Sequence, residues 1–145
     1  MPALRALINL AYQVLGDMGL NFTGVTQDEE TTRRRMTRGD VYVLERDGAL
    51  LGTVTFSVKE SDGTRYGYVN VLAVAPIHQR RGVGSELMAI AERRARSLGL
   101  DRVRLDTAIP ARHLITWYAA RGYGPVAEVQ WDGKTYRSVI MEKLL

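Results

Sequence analysis

At 145 residues, with 46% apolar and 25% charged residues, the chain is long enough to bury a core and reads as one domain spanning residues 1–145. The absence of cysteine excludes disulfides, thiolate metal sites and a cysteine nucleophile, and two histidines are too few for a histidine-built metal site. Net charge is +4 and 17 of the 20 basic residues are arginine, but they are interspersed with 16 acids, a pattern of a solvated surface and not of a nucleic-acid footprint.

The first residues, MPALRALINLAYQVLGDMG, place Leu4, Leu7, Ile8, Ala11, Leu15 and Met18 at helical spacing, with Gly19 where a C-terminal cap belongs. Polar residues interrupt this stretch and no small-residue cleavage pattern follows it. It reads as a mature amphipathic helix and not a signal peptide, and the expected location is cytoplasmic. No segment approaches the roughly 20 apolar residues of a membrane span. QDEETTRRRMTRGD reads as a short exposed helix, with Glu29/Arg33 and Glu30/Arg34 spaced for ion pairs. Val41 to Glu45 and Ala49 to Val58 read as strands about an Asp47-Gly48 hairpin. A second turn at Asp62-Gly63 leads into a strand from Tyr66 to Val74, which Pro76 stops. A long amphipathic helix runs from Val83 to Leu98, closed by Gly99. A strand from Arg102 to Thr107, a helix over 112–121 and a hairpin about Asp132-Gly133, with strands over 124–131 and 134–144, complete a mixed α/β domain.

The stretch HQRRGVGSEL, residues 78–87, stands between a strand and a helix. The first turn of a helix has unsatisfied N–H groups and the positive end of the helix dipole. Gly82 and Gly84 let an anion reach that backbone without meeting a Cβ, so Gly84→Val should weaken anion binding and leave the fold mostly intact. Arg80 and Arg81 add charge-assisted bonds. A diphosphate suits this combination. The Walker pattern is absent, and Leu87 stands where a dinucleotide fingerprint needs its third glycine.

Gln79-x-x-Gly82-x-Gly84 after a strand ending Val-Ala-Pro resembles the acyl-CoA-binding motif of the GNAT superfamily, the GCN5-related N-acetyltransferases. Some thirty residues on, ITWYAARGY (115–123) is similar to that family's helix segment of an aromatic residue, a tyrosine, three residues and Gly-Tyr. The resemblance implies a mixed α+β acyltransferase fold, with a central, mostly antiparallel twisted sheet flanked by helices. The family's usual first strand has no counterpart here; either that sheet edge is absent or the true start lies upstream.

The resemblance further implies acetyl-CoA as cosubstrate, no metal, and direct transfer of the acetyl group to an amine. Leu72, Ala73 and Val74 would receive the pantetheine arm and supply backbone N–H groups to the oxyanion. Gln79, Arg80, Arg81, Gly82, Val83, Gly84 and Ser85 would hold the diphosphate. Tyr118 matches the general acid, although its helical face shared with Leu114 and Trp117 also fits packing. The strand before the glycine turn lacks the family's glutamate, so Asn70 or Tyr68 could order a water, or Asp106 could serve as base. Ala111 replaces the asparagine seven positions before the tyrosine. The expected partner is an amine of a small molecule or protein, not nucleic acid or membrane, with a homodimer as a further expectation. Two other readings compete with this one, a CoA-binding regulatory module without strong catalysis and an RNA-binding domain using Arg33–Arg35 and Arg93–Arg94.

Overall fold

The structure is a computed structural model that describes residues 2–79 and 81–145. Three helices come first: α1 (Pro2–Asp17), α2 (Thr23–Thr26) and α3 (Glu29–Met36). Strands β1 (Asp40–Arg46), β2 (Ala49–Ser61) and β3 (Thr64–Val74) follow, then α4 (Val83–Ser97), β4 (Arg102–Ala108), α5 (Arg112–Ala119), β5 (Gly124–Val129) and β6 (Ser138–Leu144). The six strands form one sheet in the order β1-β2-β3-β4-β6-β5, antiparallel except where β3 meets β4. This is the mixed, mostly antiparallel sheet expected, and it opens with β1 only after three helices. The first two of the three predicted Asp-Gly turns form as two-residue hairpins, with Asp47 and Asp62 at positive φ (53° and 51°), whereas Asp132-Gly133 sits in the longer loop between β5 and β6.

Two features of β3 organise the molecule. Thr55 pairs with Val71 but Phe56 with Val69, so Asn70 is an extra residue, a β-bulge. The bulge resets the alternation of faces. Val69 packs in the core under α4 with Phe56, Leu87 and Val103, whereas Val71 and Ala73 pack against Leu4, Leu7 and Ile8 of α1. The second feature is that β3 and β4 are paired only at Gly67–Val103 and Tyr68–Arg104. Beyond Tyr68 the two strands run on unpaired, and the sheet opens in its middle.

Helix α4 is tied across the core by Glu92, whose carboxylate accepts from Tyr123 Oη (3.0 Å) and Lys143 Nζ (2.8 Å). Such a buried carboxylate is tolerable because both oxygens are bonded.

Two sequence expectations need correction. Residues 134–137 are not strand: Thr135 N–H donates to Asn21 Oδ1 (2.8 Å) and not to a sheet partner, and β6 begins at Ser138. Among the described residues neither Glu29–Arg33 nor Glu30–Arg34 forms an ion pair; Arg34 bonds Thr31 instead. Asp28 accepts from Thr31 N–H as the helix cap. The short helix α2 was not expected, because four residues show no periodicity. Among the described residues no helix is long and apolar enough to cross a membrane.

Candidate active site

The opening between β3 and β4 is bordered by Asn70, Leu72 and Val74 on β3 and by Asp106 on β4. Leu72 directs its backbone groups into it, where the Tyr12 hydroxyl of α1 donates to Leu72 C=O (3.1 Å) and lies 3.5 Å from Leu72 N. Val74 C=O accepts from the Gln79 side chain (3.3 Å). Ala73 instead buries its methyl against α1. A strand whose polar backbone faces a gap in its own sheet suits an extended, amide-bearing arm such as pantetheine, which can complete the ladder.

At the far end of β3 the chain passes a short 3-10 turn (Pro76–His78) and enters α4. Gly82 takes the left-handed conformation (φ 79°) as N-cap and has no side chain to satisfy the first-turn N–H groups. Arg81 is exposed beside it, while Arg80 lies outside the described residues. Arg46, His78 and Arg81, together with the carboxylates Asp47 and Glu86, line a cleft of about 280 Å³ at this end. Val83 is buried in the core, so it offers an anion its backbone only.

Gly84 differs from expectation. A Cβ there would lie 2.9 Å from Trp117 Cζ2, so the missing side chain makes room for α5. Arg121 reinforces this contact. Its guanidinium stacks 3.5 Å over the Trp117 ring and donates to Trp117 C=O (2.8 Å) and to Ser85 Oγ (2.6 and 3.1 Å). Gly84→Val therefore cannot spare the fold: a lower melting temperature is expected alongside weaker acetyl-CoA binding, in contrast to the fold-neutral effect predicted from sequence.

Tyr118 reconciles its two readings. Its ring belongs to the core, edge-on to Trp117 (5.2 Å) and Tyr123 (6.1 Å). Its hydroxyl has no hydrogen-bond partner among the described residues. Burial, followed by the nearby Tyr12 and Asp106, pushes its pKa well up, so the phenol remains a proton donor.

Asp106 is at the centre of the polar groups. The Tyr68 hydroxyl donates to its carboxylate, and burial followed by the Asp106 charge raises the Tyr68 pKa. Burial and then Asp106 also push Tyr136 up to about 12. Asn70 turns its side-chain amide to Ser57 Oγ (2.9 Å), while its backbone carbonyl accepts from Arg35 (3.3 Å). Among the described residues no group of three or more metal-ligating side chains is present.

Sequence reasoning missed Tyr12 and Arg35. Tyr12 reads in the sequence as one of the polar residues that interrupt the apolar stripe of α1, and Arg35 as one arginine of a solvated run; neither has a local signal.

The Acetyltransferase (GNAT) family model matches residues 4–123. The chain belongs to this family. Similar proteins include the S-alkylcysteine N-acetyltransferase of Bacillus subtilis, 28% identical over 98% of this chain and 82% of that one. The ribosomal-protein-S18-alanine N-acetyltransferase of Escherichia coli has the same fold (TM-score 0.77, 17% identity, 99% of this chain and 86% of that one). So does the N-acetylglutamate synthase of Neisseria gonorrhoeae, solved with coenzyme A and N-acetyl-glutamate (TM-score 0.72, 24% identity, 100% of this chain and 32% of that one). As a member of the GNAT family the chain is an acetyl-CoA-dependent N-acetyltransferase that acts on an amine. A CoA-binding module without catalysis is not favoured.

Proposed function

We propose that the opening between β3 and β4 is the transfer site, with Leu72 N–H as oxyanion donor, Tyr118 as acid and Asp106 as base. Acetyl-CoA supplies the activated acetyl group as a thioester. The observation that supports this reading is the gap itself: it leaves Leu72 N–H turned away from β2, with a protonated phenol and a carboxylate close by. Leu72 N–H would stabilise charge on the acetyl oxygen. Tyr118 Oη would give its proton to the departing sulfur, and Asp106 would take one from the attacking amine. Asn70, a neutral amide, cannot accept that proton. Its side-chain carbonyl is suited to ordering a water, and its bulge sets the strand's bend.

Binding of the diphosphate would use the open first turn of α4 together with Arg81. Arg81→Ala is expected to weaken acetyl-CoA binding about fivefold, the equivalent of one exposed charge-assisted bond of about 1 kcal/mol. It should also flatten the dependence of affinity on salt. Calorimetric titration at several ionic strengths checks this, and an unchanged salt slope would make Arg81 a bystander.

The acceptor is best sought among small amines. The Bacillus subtilis relative carries its substrate in its name, and a second relative from that organism, 28% identical over 93% of this chain, is an S-(2-succino)cysteine N-acetyltransferase. Free amino acids are therefore the first acceptors to assay. Release of CoA thiol tests the reading; acetyl-CoA bound without thiol release on any amine would overturn it.

A further inference from the structure

Two cations that the transfer chemistry does not use lie near the bulge of β3 and within electrostatic reach of each other and of Asp106. Arg35, on α3, reaches inward to Gln27 Oε1 and the Asn70 carbonyl at the bulge. Lys134 comes from the loop before β6, where its ammonium donates to Asn21 C=O (2.7 Å) and Thr23 Oγ1 (3.1 Å). Neither has a carboxylate within ion-pair distance among the described residues. Their surroundings make this costly: burial and then the charge of Arg35 push the Lys134 pKa down, and burial lowers that of Arg35. Both heads are half-buried, so each charge has lost part of its water and would gain from an anionic ligand. The bonds already formed fix both heads in place and leave each with N–H donors to spare, since an ammonium has three and a guanidinium five. The one carboxylate central to this cluster, Asp106, is bonded to Tyr68.

We propose that Arg35 and Lys134 form a carboxylate-binding site for the acceptor, which is a free α-amino acid or close amino-carboxylate whose amine is directed at Asp106. This rests on the reading of the β3–β4 gap as the transfer site. A zwitterion matches the arrangement: its carboxylate meets two cations from separate segments, and its ammonium meets the carboxylate that must deprotonate it. The loop 130–137 acquires a purpose in the same step. Its departure from strand geometry carries Lys134 to Asn21 and Thr23, while Tyr136 stacks on Phe22 (4.9 Å) and fixes that wall.

The test measures kcat/KM by thiol release for free L-amino acids and S-methyl-L-cysteine, each against its own carboxamide. The wild-type enzyme is expected to prefer the free acid by about 10–100-fold, the equivalent of one to two charge-assisted bonds. In Lys134→Met, a partly exposed loop substitution, the acid-to-carboxamide ratio should fall at least about 10-fold, chiefly through KM. Arg35→Gln should lower it as well, with melting temperature and acetyl-CoA affinity measured to separate misfolding from lost recognition. Equal rates on acid and carboxamide in the wild type, or an unchanged ratio in folded Lys134→Met, would overturn the proposal while leaving acetyl transfer intact. Acetyl-CoA binding without thiol release on either series would instead overturn the transfer site and this proposal with it.

Discussion

Tyr118→Phe is expected to lower kcat by about 10²-fold while leaving the fold and acetyl-CoA affinity nearly untouched. The ring keeps its edge-on contacts with Trp117 and Tyr123, so the core loses no volume. The hydroxyl gives up no bond to the rest of the described protein, so its removal leaves no partner stranded. Melting temperature should therefore move by no more than about 2 °C. What is lost is a proton delivered to the leaving sulfur, which matters only as the thioester breaks; kcat and kcat/KM should fall together. Because burial holds the phenol protonated, any alkaline decline in kcat below about pH 10 belongs to another group. Steady-state kinetics and a melting curve on the same preparation decide the matter. A lower melting temperature with kcat intact would reduce Tyr118 to a packing residue.

Asp106→Asn should have the larger effect, a fall of about 10²–10⁴-fold in kcat/KM. The replacement is isosteric, and its amide oxygen can still accept from Tyr68, so the strand and its neighbours have no reason to move. An amide cannot take a proton from the acceptor's ammonium. The deficit should consequently shrink as pH rises toward the amine's own pKa, where the nucleophile arrives already deprotonated. A deficit independent of pH would mean that Asp106 orients the acceptor without acting as base. Tyr68→Phe offers a graded comparison: it removes one bond to the carboxylate and should cost less than Asp106→Asn.

The elements of this domain were legible where the signal is local. Hairpins at Asp47-Gly48 and Asp62-Gly63 announce themselves in two residues. The stripe of α4 covers four turns, and the residues of the glycine turn and of 115–123 are contiguous. Tyr118 was legible as a candidate for that reason, and its unpartnered hydroxyl is the feature that favours the proposed acid over a packing role. Interactions across the chain were not legible. Tyr12 meets Leu72 over a separation of 60 residues, and Lys134 meets Asn21 over 113. Nothing in an amphipathic stripe says which polar tip faces a site. Gly84 shows the opposite failure. Its place in a phosphate-binding pattern suggested freedom for a ligand, whereas the space beside it is filled by Trp117 from an element thirty residues later. Residues 134–137 looked like strand because the pattern of a strand describes side chains, and here the backbone bonds go elsewhere.

A sheet that parts in its middle has an edge turned inward. Exposed edges invite strands from other chains, and proteins commonly blunt them with charge, proline or a bulge. Here α1 packs on one face of β3 and α4 on the other, so the unpaired run lies between helices inside the sheet and not at its rim. The Tyr12 hydroxyl and the Gln79 amide cover two of its carbonyls with bonds that a ligand can exchange. The fold can thus keep a sticky strand permanently available at its centre without the risk of self-association that the same strand would bring at the rim.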